Sequence, residues 1–232
     1  MEKSMKVTLI NYSQGPSENI LGVDVPSKRT LLDQIAYCAR VSNPSNQNNT
    51  DTSEKLVRYL IKNQHWSPLE MVSVCLEIET TRDIARQILR HRSFSFQEFS
   101  QRYADPTAEL EDAFVLRAAR FQDTQNRQNS IDIVEDTPES RNLAMGWERA
   151  QQRVRLAALE AYEWAIKNGI AKEQARAVLP EGMTVSRMYM NGTLRSWVHY
   201  IQLRSANGTQ KEHREVAIAC AKVIETIFPM IN

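Results

Sequence analysis

The sequence is poor in the residue types that build several common functional sites. It has seven glycines among 232 residues and neither a GxGxxG nor a GxxxxGK[ST] motif. This argues against a dinucleotide or P-loop phosphate cradle, where the backbone approaches phosphate at glycine. Its three cysteines form no CxxC pair and its four histidines no HExxH or HxH spacing. We therefore expect no metal site and free thiols in a reducing compartment, which indicates the cytoplasm.

Long apolar runs and an excess of charge of one sign are also missing. No segment approaches the length of a bilayer-spanning helix, and the N-terminal segment lacks a signal peptide's apolar core. Lys and Arg together number 29 and Asp and Glu 28, so no overall field draws the chain to nucleic acid or membranes. The 42% hydrophobic and 25% charged content is that of an ordinary globular protein with a buried core. Any anion site must be built by a local concentration of arginines.

Hydrophobic periodicity and capping signals predict one compact α+β domain over residues 1–232, mostly helical with a modest mixed or antiparallel sheet. Strands are predicted at residues 7–12, 20–25, 71–79 and 184–190, the last followed by a turn at Asn191-Gly192. Helices are predicted at residues 30–41, 53–63, 81–90, 137–168, 171–179 and 194–204. A last helix is predicted to bury Val216, Cys220, Val223 and Ile227. Residues 104–136 read as a loop with one strand near residues 114–121.

The stretch RHRSFSFQEFSQRY, residues 90–103, stands apart from the rest of the chain. It follows a helix on which Arg82, Arg86 and Arg90 lie side by side and repel one another, with only Asp83 near in sequence to offset them. The stripe then runs into His91-Arg92, which concentrates charge at a helix end. A solvated helix face and a site for a small anion are both compatible with this pattern.

The segment after the stripe alternates phenylalanines, which suit a strand packed in the core, with polar side chains. These offer hydrogen-bond donors and acceptors of both kinds, and they are Gln97, Glu98, Ser100, Gln101 and Arg102. A nucleobase matches such a set and a phosphate would take the arginines. The alternative is an arginine-rich segment that stacks nucleic-acid bases on its aromatic rings, against which stands the net charge of only +1. A second polar stripe lies on the helix at 194–204, and it comprises Arg195, His199, Gln202 and Arg204.

Four collinear motifs carry a resemblance to a known family. Arg90-His91-Arg92, seven residues and then Ser100 fit the RHR-x7-S signature of the flavin-dependent thymidylate synthases without a gap. HWSPLE at 65–70, EQARAVLP at 173–180 and LRSWVHYIQLR at 194–204 follow that family's order and spacing. The chain resembles this family from about residue 30 onward.

The resemblance implies reductive methylation of dUMP to dTMP, with methylenetetrahydrofolate as carbon donor, FAD as redox carrier and NADPH as reductant. It also implies a homotetramer whose active sites form between subunits. The residues implied to hold dUMP are Gln87, Arg90, Glu98, Ser100, Gln101, Arg102, Arg176 and Arg204. Those implied to contact FAD are Ser67, Arg90, His91, Arg92, Glu98, Arg195 and His199. His65 would lie near the flavin and the folate, and Arg204 would activate the uracil ring.

The distribution of cysteines agrees with an electrostatic activation of uracil. C5 of uracil is a weak nucleophile that needs either covalent addition of a thiol at C6 or a fixed cation that stabilises an enolate-like state. Cys38 and Cys220 fall on apolar helix faces and Cys75 in a strand, where we expect buried, inert thiols. Arginine stays protonated at any working pH, which suits Arg204 to the second route.

Overall fold

A computed structural model describes residues 5–15 and 29–229 of the chain. The helices are α1 (Leu31–Ala39), α2 (Ser53–Lys62), α3 (Arg82–Ile88), α4 (Pro106–Glu109), α5 (Pro138–Lys167), α6 (Lys172–Ala175), α7 (Leu194–Ser205) and α8 (Lys211–Glu225). The strands are β1 (Lys6–Tyr12), β2 (Ser73–Thr81), β3 (Ser95–Glu98), β4 (Arg120–Gln122), β5 (Ser130–Asp132) and β6 (Val185–Thr193). The architecture is α+β and mostly helical, as the sequence predicts.

The central sheet has four strands in the order β1-β2-β6-β3, and every pairing is antiparallel. The sheet is therefore antiparallel rather than mixed. Strand β2 alternates as predicted: Val74, Leu76 and Ile78 are fully buried, while Glu77 and Glu79 point to the other face. Because side chains alternate along a strand, one face of the sheet carries the core and the other stays polar.

The core lies between the sheet and the helices that cover it. Helix α7 contributes Leu194, Trp197, Val198 and Ile201, all buried as its periodicity predicts. The indole Nε1 of Trp197 donates to the carbonyl oxygen of Val74 at 3.0 Å, so the largest core side chain also joins α7 to the central strand. This contact fixes which residues of α7 face away from the core.

Local signals placed the starts of α1 and α5 correctly. Thr30 and Asp33 form a reciprocal capping box on α1, and Thr137 caps α5 with Pro138 in its first turn. Helix α5 ends at the predicted stop, where Gly169 adopts a positive φ of 75°. Such caps depend on residues three or four apart, so they are visible in the sequence.

The predicted turn at Asn191-Gly192 is wrong, because both residues lie inside β6. Glycine is required at 192 for packing: a Cβ there would lie 2.4 Å from the ring of Phe94. Phe94 is buried against Trp197, with ring centroids 4.9 Å apart. Glycine at 192 therefore leaves room in the core for the ring of Phe94, which belongs to the stretch at residues 90–103.

Two further predictions need correction, and a third is untested. Residues 104–136 hold the helical turn α4 and a two-stranded hairpin, β4 with β5, rather than one strand. In the C-terminal segment Val216 and Cys220 are buried as predicted, but Val223 and Ile227 are only half-buried. The helix instead buries Ile224, and Phe228 is buried just beyond it. The predicted strand at residues 20–25 lies outside the described residues.

Few of the 30 residues of helix α5 are buried within the chain. Its buried residues include Tyr162 and Ala165, which form a small second core with Ala175 of α6 and Leu179. Large apolar side chains on the rest of the helix are exposed, and they are Leu143, Met145, Trp147, Val154, Leu156 and Trp164. An exposed apolar surface on this scale indicates a contact with another molecule.

Candidate active site

The signature histidine and the arginine of α7 meet although they are 113 residues apart. His91 follows α3, and its backbone N–H donates to the carbonyl oxygen of Ile88 at 3.0 Å. Arg204, in the last turn of α7, donates from Nε to His91 Nε2 at 2.9 Å. The two Nη groups of Arg204 take no part in this hydrogen bond. A fixed cation is therefore held by a neutral imidazole.

The electrostatics of His91 agree with its acceptor role. Burial, with the charges of Arg204 and Arg90 nearby, lowers the pKa of His91 from 6.5 to about 4. The ring is neutral at pH 7 and can accept from arginine only in that state. It also meets the ring of Tyr200 edge-on, with centroids 4.9 Å apart.

The arginine stripe on α3 is neutralised by residues distant in sequence. Arg86 pairs with Glu181 at 3.0 Å, and Arg82 lies 3.6 Å from Glu98. Asp83, the expected local partner, is engaged by Arg117 at 2.8 Å instead. The alternative of a solvated helix face does not hold for Arg82, which is 8% exposed. The stripe is thus not a uniformly solvated face.

Arg90 and Arg92, which flank His91, are both exposed. Their guanidinium groups therefore lie on the surface beside the Arg204–His91 contact. Exposed guanidinium groups at the end of a helix can bind phosphate or carboxylate groups of a ligand.

Glu98 to Arg102 continue from β3 into a tight turn. The Glu98 carboxylate accepts from Ser186 Oγ at 2.8 Å, and the Ser100 carbonyl oxygen accepts from two backbone N–H groups at 3.0 Å. Gln101 is 3% exposed, and within the part of the chain described its Nε2 has no hydrogen-bond partner. A buried amide without a partner costs free energy unless another group completes it.

The turn after β3 lies beside α6. Arg102 Nε is 3.7 Å from a carboxylate oxygen of Glu173, and Lys172 Nζ donates to the Tyr103 carbonyl oxygen at 3.1 Å. These contacts place the short helix just before Arg176 next to the polar segment. Arg176 is half-buried at the start of a 3-10 turn.

A second group of predicted residues lies around the first turns of α7. Arg195 donates to Glu70 at 2.5 Å, and Glu70 also accepts from Thr193 Oγ1 at 3.3 Å. The exposed His199 meets the Trp66 ring edge-on at 4.6 Å. Ser67 is exposed between these two contacts along the chain, in the 3-10 turn Ser67–Met71.

Trp66 and Glu70 of HWSPLE therefore contact α7 and its N-terminal cap, a pairing that the order of the motifs did not predict. Glu70 and Trp66 were not predicted as site residues. Their presence in that motif was the available signal. His65 is exposed and contacts the Tyr59 ring with centroids 5.9 Å apart.

A third group lies behind His91 and was missed by sequence reasoning. His213 of α8 is fully buried, with Nδ1 3.2 Å from Gln87 Oε1 and Nε2 3.2 Å from Tyr200 Oη. Gln87 in turn donates from Nε2 to Gln210 Oε1 at 2.7 Å. Only Gln87 of this group was a predicted site residue.

Two cavities of the described chain lie elsewhere. One of about 380 Å³ is lined by the ends of β1 and β2 and by residues 110–117, and another of about 750 Å³ lies between residues 115–119, 133–136 and α5. None of the predicted site residues lines either cavity. Arg90, Arg92 and His199 are exposed, so this part of the candidate site is open to solvent in one chain.

The thiols differ in environment. Cys220 is completely buried and burial raises the pKa of its thiol. Cys75 is half-buried on the polar face of the sheet, and burial raises the pKa of its thiol too. Cys38 is also only half-buried. The expectation of burial therefore holds for Cys220 and is wrong for the other two.

Among residues 5–15 and 29–229, no helix is both long and apolar enough to cross a membrane. In the same residues no group of three or more His, Cys, Asp or Glu side chains could hold a metal ion.

Comparison with solved structures defines the class of protein first. The fold is that of a UMP/dUMP methylase, PolB from Streptomyces cacaoi, solved with 5-Br UMP: the TM-score is 0.74 and the identity 25%, over 97% of this chain and 91% of that one. The same methylase with 5-Br dUMP gives a TM-score of 0.73 at 24% identity, over 98% of this chain and 93% of that one. The chain therefore has the fold of this methylase.

Sequence relatives then give the family. The family model of the thymidylate synthase complementing protein matches residues 28–230. A flavin-dependent thymidylate synthase of Synechocystis is 48% identical, covering 85% of this chain and 86% of its own length. A probable flavin-dependent thymidylate synthase of Paramecium bursaria Chlorella virus 1 is 45% identical, covering 89% and 91%. The chain belongs to the flavin-dependent thymidylate synthase family, and it is a methyltransferase.

Proposed function

We propose that the chain methylates dUMP to dTMP, taking the carbon from methylenetetrahydrofolate and reducing equivalents from NADPH through FAD. The observation that carries the proposal is the Arg204–His91 contact of 2.9 Å, which fixes a permanent cation at the edge of the signature segment. The names of the relatives support both the flavin and the thymidylate product. The similarity in fold to a UMP/dUMP methylase supports a uracil nucleotide as substrate.

The proposed dUMP site combines this cation and its neighbours Gln87 and Arg90 with residues of the segment at and after β3 and with Arg176. Gln101 gives the most direct support, because its buried Nε2 has no hydrogen-bond partner among the described residues. Arg90 and Arg102 are exposed and supply charge for the phosphate. The proposed dUMP ligands are Gln87, Arg90, Glu98, Ser100, Gln101, Arg102, Arg176 and Arg204.

The donors present fit a flavin dinucleotide. FAD carries a pyrophosphate, which arginines bind, and an isoalloxazine ring with an edge of donors and acceptors. Arg195 and His199 are exposed on one side of α7 near Ser67. The proposed FAD ligands are Ser67, Arg90, His91, Arg92, Glu98, Arg195 and His199, with His65 near the flavin and folate. When bound, FAD carries the reducing equivalents that turn the transferred methylene into methyl.

Arg204 acts on the uracil ring electrostatically. With Nε bonded to His91, its guanidinium is oriented, and the Nη groups can meet a uracil carbonyl as negative charge develops there. Preorientation matters because the donor then needs no rearrangement in the transition state. Cys220 is enclosed in the core and cannot reach a substrate, which supports a route without a thiol nucleophile.

The enzyme assembles as a homotetramer of single-domain subunits over residues 1–232, and the active sites form between subunits. Two observations support this. Helix α5 leaves Trp147, Leu156 and Trp164 between 45% and 61% exposed. Arg90, Arg92 and His199 are exposed and no proposed site residue lines either of the two cavities, so a neighbouring subunit would close the site.

The experiment compares Arg204→Ala with Ser100→Ala, with flavin content measured beside steady-state kinetics. Arg204→Ala should keep FAD and lose roughly 10²-fold or more in turnover, the scale of removing one electrostatic stabiliser. Ser100→Ala should raise the dUMP requirement and leave measurable turnover, because an unactivated serine is a poor nucleophile. Arg204→Lys should rescue poorly, since a point charge does not copy a planar donor.

Two outcomes would contradict the proposal. A dead Ser100→Ala that still binds dUMP, beside a nearly normal Arg204→Ala, would reverse the two roles. Wild-type protein that stays colourless after incubation with FAD and carries nucleic acid would favour the alternative of a nucleic-acid-binding segment at residues 90–103.

Arg92→Ala provides a matched test of the flavin site. Arg92 is exposed, so its loss should weaken FAD retention while leaving the free energy of unfolding of the apoprotein nearly unchanged. Equal FAD affinity in variant and wild type would remove Arg92 from the site.

A further inference from the structure

A continuous chain of side-chain hydrogen bonds runs behind the candidate site. It passes from Tyr200 Oη to His213 Nε2 at 3.2 Å and from His213 Nδ1 to Gln87 Oε1 at 3.2 Å. It continues from Gln87 Nε2 to Gln210 Oε1 at 2.7 Å and from Gln210 Nε2 to Glu212 at 3.0 Å. It joins α7, α3 and α8 through groups that are all partly or wholly enclosed.

The chain has one consistent direction. It ends on the Glu212 carboxylate, which only accepts and is held by Arg120 of β4. Gln210 must therefore present its NH₂ to Glu212 and its oxygen to Gln87, and Gln87 must present its NH₂ to Gln210. The Gln87 oxygen then faces His213, so Nδ1 of His213 carries the proton and Nε2 accepts from Tyr200 Oη.

A neutral imidazole satisfies this arrangement, with Nδ1–H donating to Gln87 and Nε2 accepting from Tyr200. Beside a doubly protonated ring the Tyr200 hydroxyl would have to accept instead of donate. The groups facing His213 are Tyr200 and Arg204 of α7 and His91 beyond α3. Burial first, and then Arg204 and His91, lower the pKa of His213 to about 3, in agreement with the geometry.

We propose that His213 is a positioning residue: its Nδ1–H holds the Gln87 amide in a single orientation toward the dUMP site. The inference rests on the proposed function, in which Gln87 contacts dUMP. An amide has two N–H groups and two oxygen lone pairs, and one of each is used by Gln210 and His213. Gln87 therefore offers dUMP one donor and one acceptor in a fixed order.

Two substitutions of His213 separate positioning from packing. In His213→Asn the side-chain Nδ2 takes the place of the imidazole Nδ1 and can still donate to Gln87. In His213→Gln the terminal amide takes the place of Nε2, so it reaches Tyr200 but not Gln87. Glutamine fills the buried site better than asparagine, so a purely structural role favours Gln.

The assay is dUMP binding and steady-state kinetics on the FAD-loaded enzyme. His213→Asn should keep the dissociation constant of dUMP within about threefold of wild type, whereas His213→Gln should raise it roughly tenfold, the scale of one lost hydrogen bond. The KM for dUMP should follow the dissociation constant, while kcat at saturating dUMP changes less. Equal binding by the two variants, or better binding by His213→Gln, would overturn the inference.

Nitrogen-15 NMR of histidine-labelled wild type reports the His213 tautomer in the unaltered enzyme. At pH 7 the His213 ring, assigned by the resonance that disappears in His213→Asn or His213→Gln, should be neutral with its proton on Nδ1. A neutral ring with its proton on Nε2 would overturn the inference. Wild type that does not bind dUMP would overturn the proposed function and this inference together, whereas normal wild-type binding with indifferent variants would overturn this inference alone.

Discussion

We expect the free energy of unfolding to fall as pH is lowered from 7 to 5, because two enclosed imidazoles must stay neutral in the folded chain. The pKa of His91 is lowered from 6.5 to about 4 and that of His213 from 6.5 to about 3. In the unfolded chain both rings take up a proton as pH falls through 6.5. Between pH 6.5 and 4 the unfolded state therefore binds more protons, so their contribution to stability is complete above pH 6.5 and is lost on acidification.

The magnitude follows from the two environments. Each pH unit within that window costs about 1.36 kcal/mol for each ring that titrates only in the unfolded state. From pH 6.5 to 5 the fully buried His213 thus costs about 2 kcal/mol. His91 is only partly enclosed, and solvent screening reduces its cost to about 1 kcal/mol. Together they remove about 3 kcal/mol, a large part of a typical stability.

The assay is urea unfolding of wild type and His213→Gln at pH 7.5, 6.5 and 5, at one protein and FAD concentration. Between pH 6.5 and 5 the variant should lose about 2 kcal/mol less than wild type, because one of the two imidazoles is absent. Carboxylates such as Asp33 and Asp132, whose pKa values are lowered from 3.8, titrate mostly below this window and are common to both proteins. Equal losses in the two proteins would refute the reasoning.

Two other substitutions test the packing and the chemistry. Gly192→Ala should lower the free energy of unfolding by about 2 kcal/mol, because its Cβ would lie 2.4 Å from the Phe94 ring. Gly182→Ala is the matched control, since nothing lies within 4 Å of the added Cβ. Equal stability of the two variants would contradict the packing argument. Replacing Cys38, Cys75 and Cys220 together with alanine should leave turnover within about tenfold, at some cost in stability from lost packing. Loss of turnover in a triple variant that folds and binds FAD would support a thiol nucleophile instead.

Elements whose signals are local could be predicted from the sequence. The Thr30–Asp33 box and Thr137-Pro138 mark helix starts because a cap and its partner are three or four residues apart. The burial of α7 followed from its helical period. Asn191-Gly192 was misread as a turn for the same reason: the dipeptide is a local turn signal, while the ring that requires glycine at 192 belongs to Phe94, 98 residues away.

The order of the motifs and the spacing of the RHR signature were enough to indicate the family, since both are properties of the sequence alone. The partners of the polar groups were not. Arg86 is neutralised by Glu181 and Asp83 is taken by Arg117, and no periodicity relates these positions. Their proximity depends on how α3 packs against segments from other parts of the chain.

The sequence by itself determined the long helices, the strands β1, β2 and β6, the buried faces of β2 and α7 and the residue types at the candidate site. Only the tertiary structure decided that Arg204 is held by His91 and that His213 stands behind Gln87. Amphipathic periodicity reports which side of a helix is buried but not which helix it meets, because packing in a core is largely non-directional. Hydrogen bonds are directional and short, so the partner of each polar side chain was settled only when α3, α7 and α8 came together against the sheet.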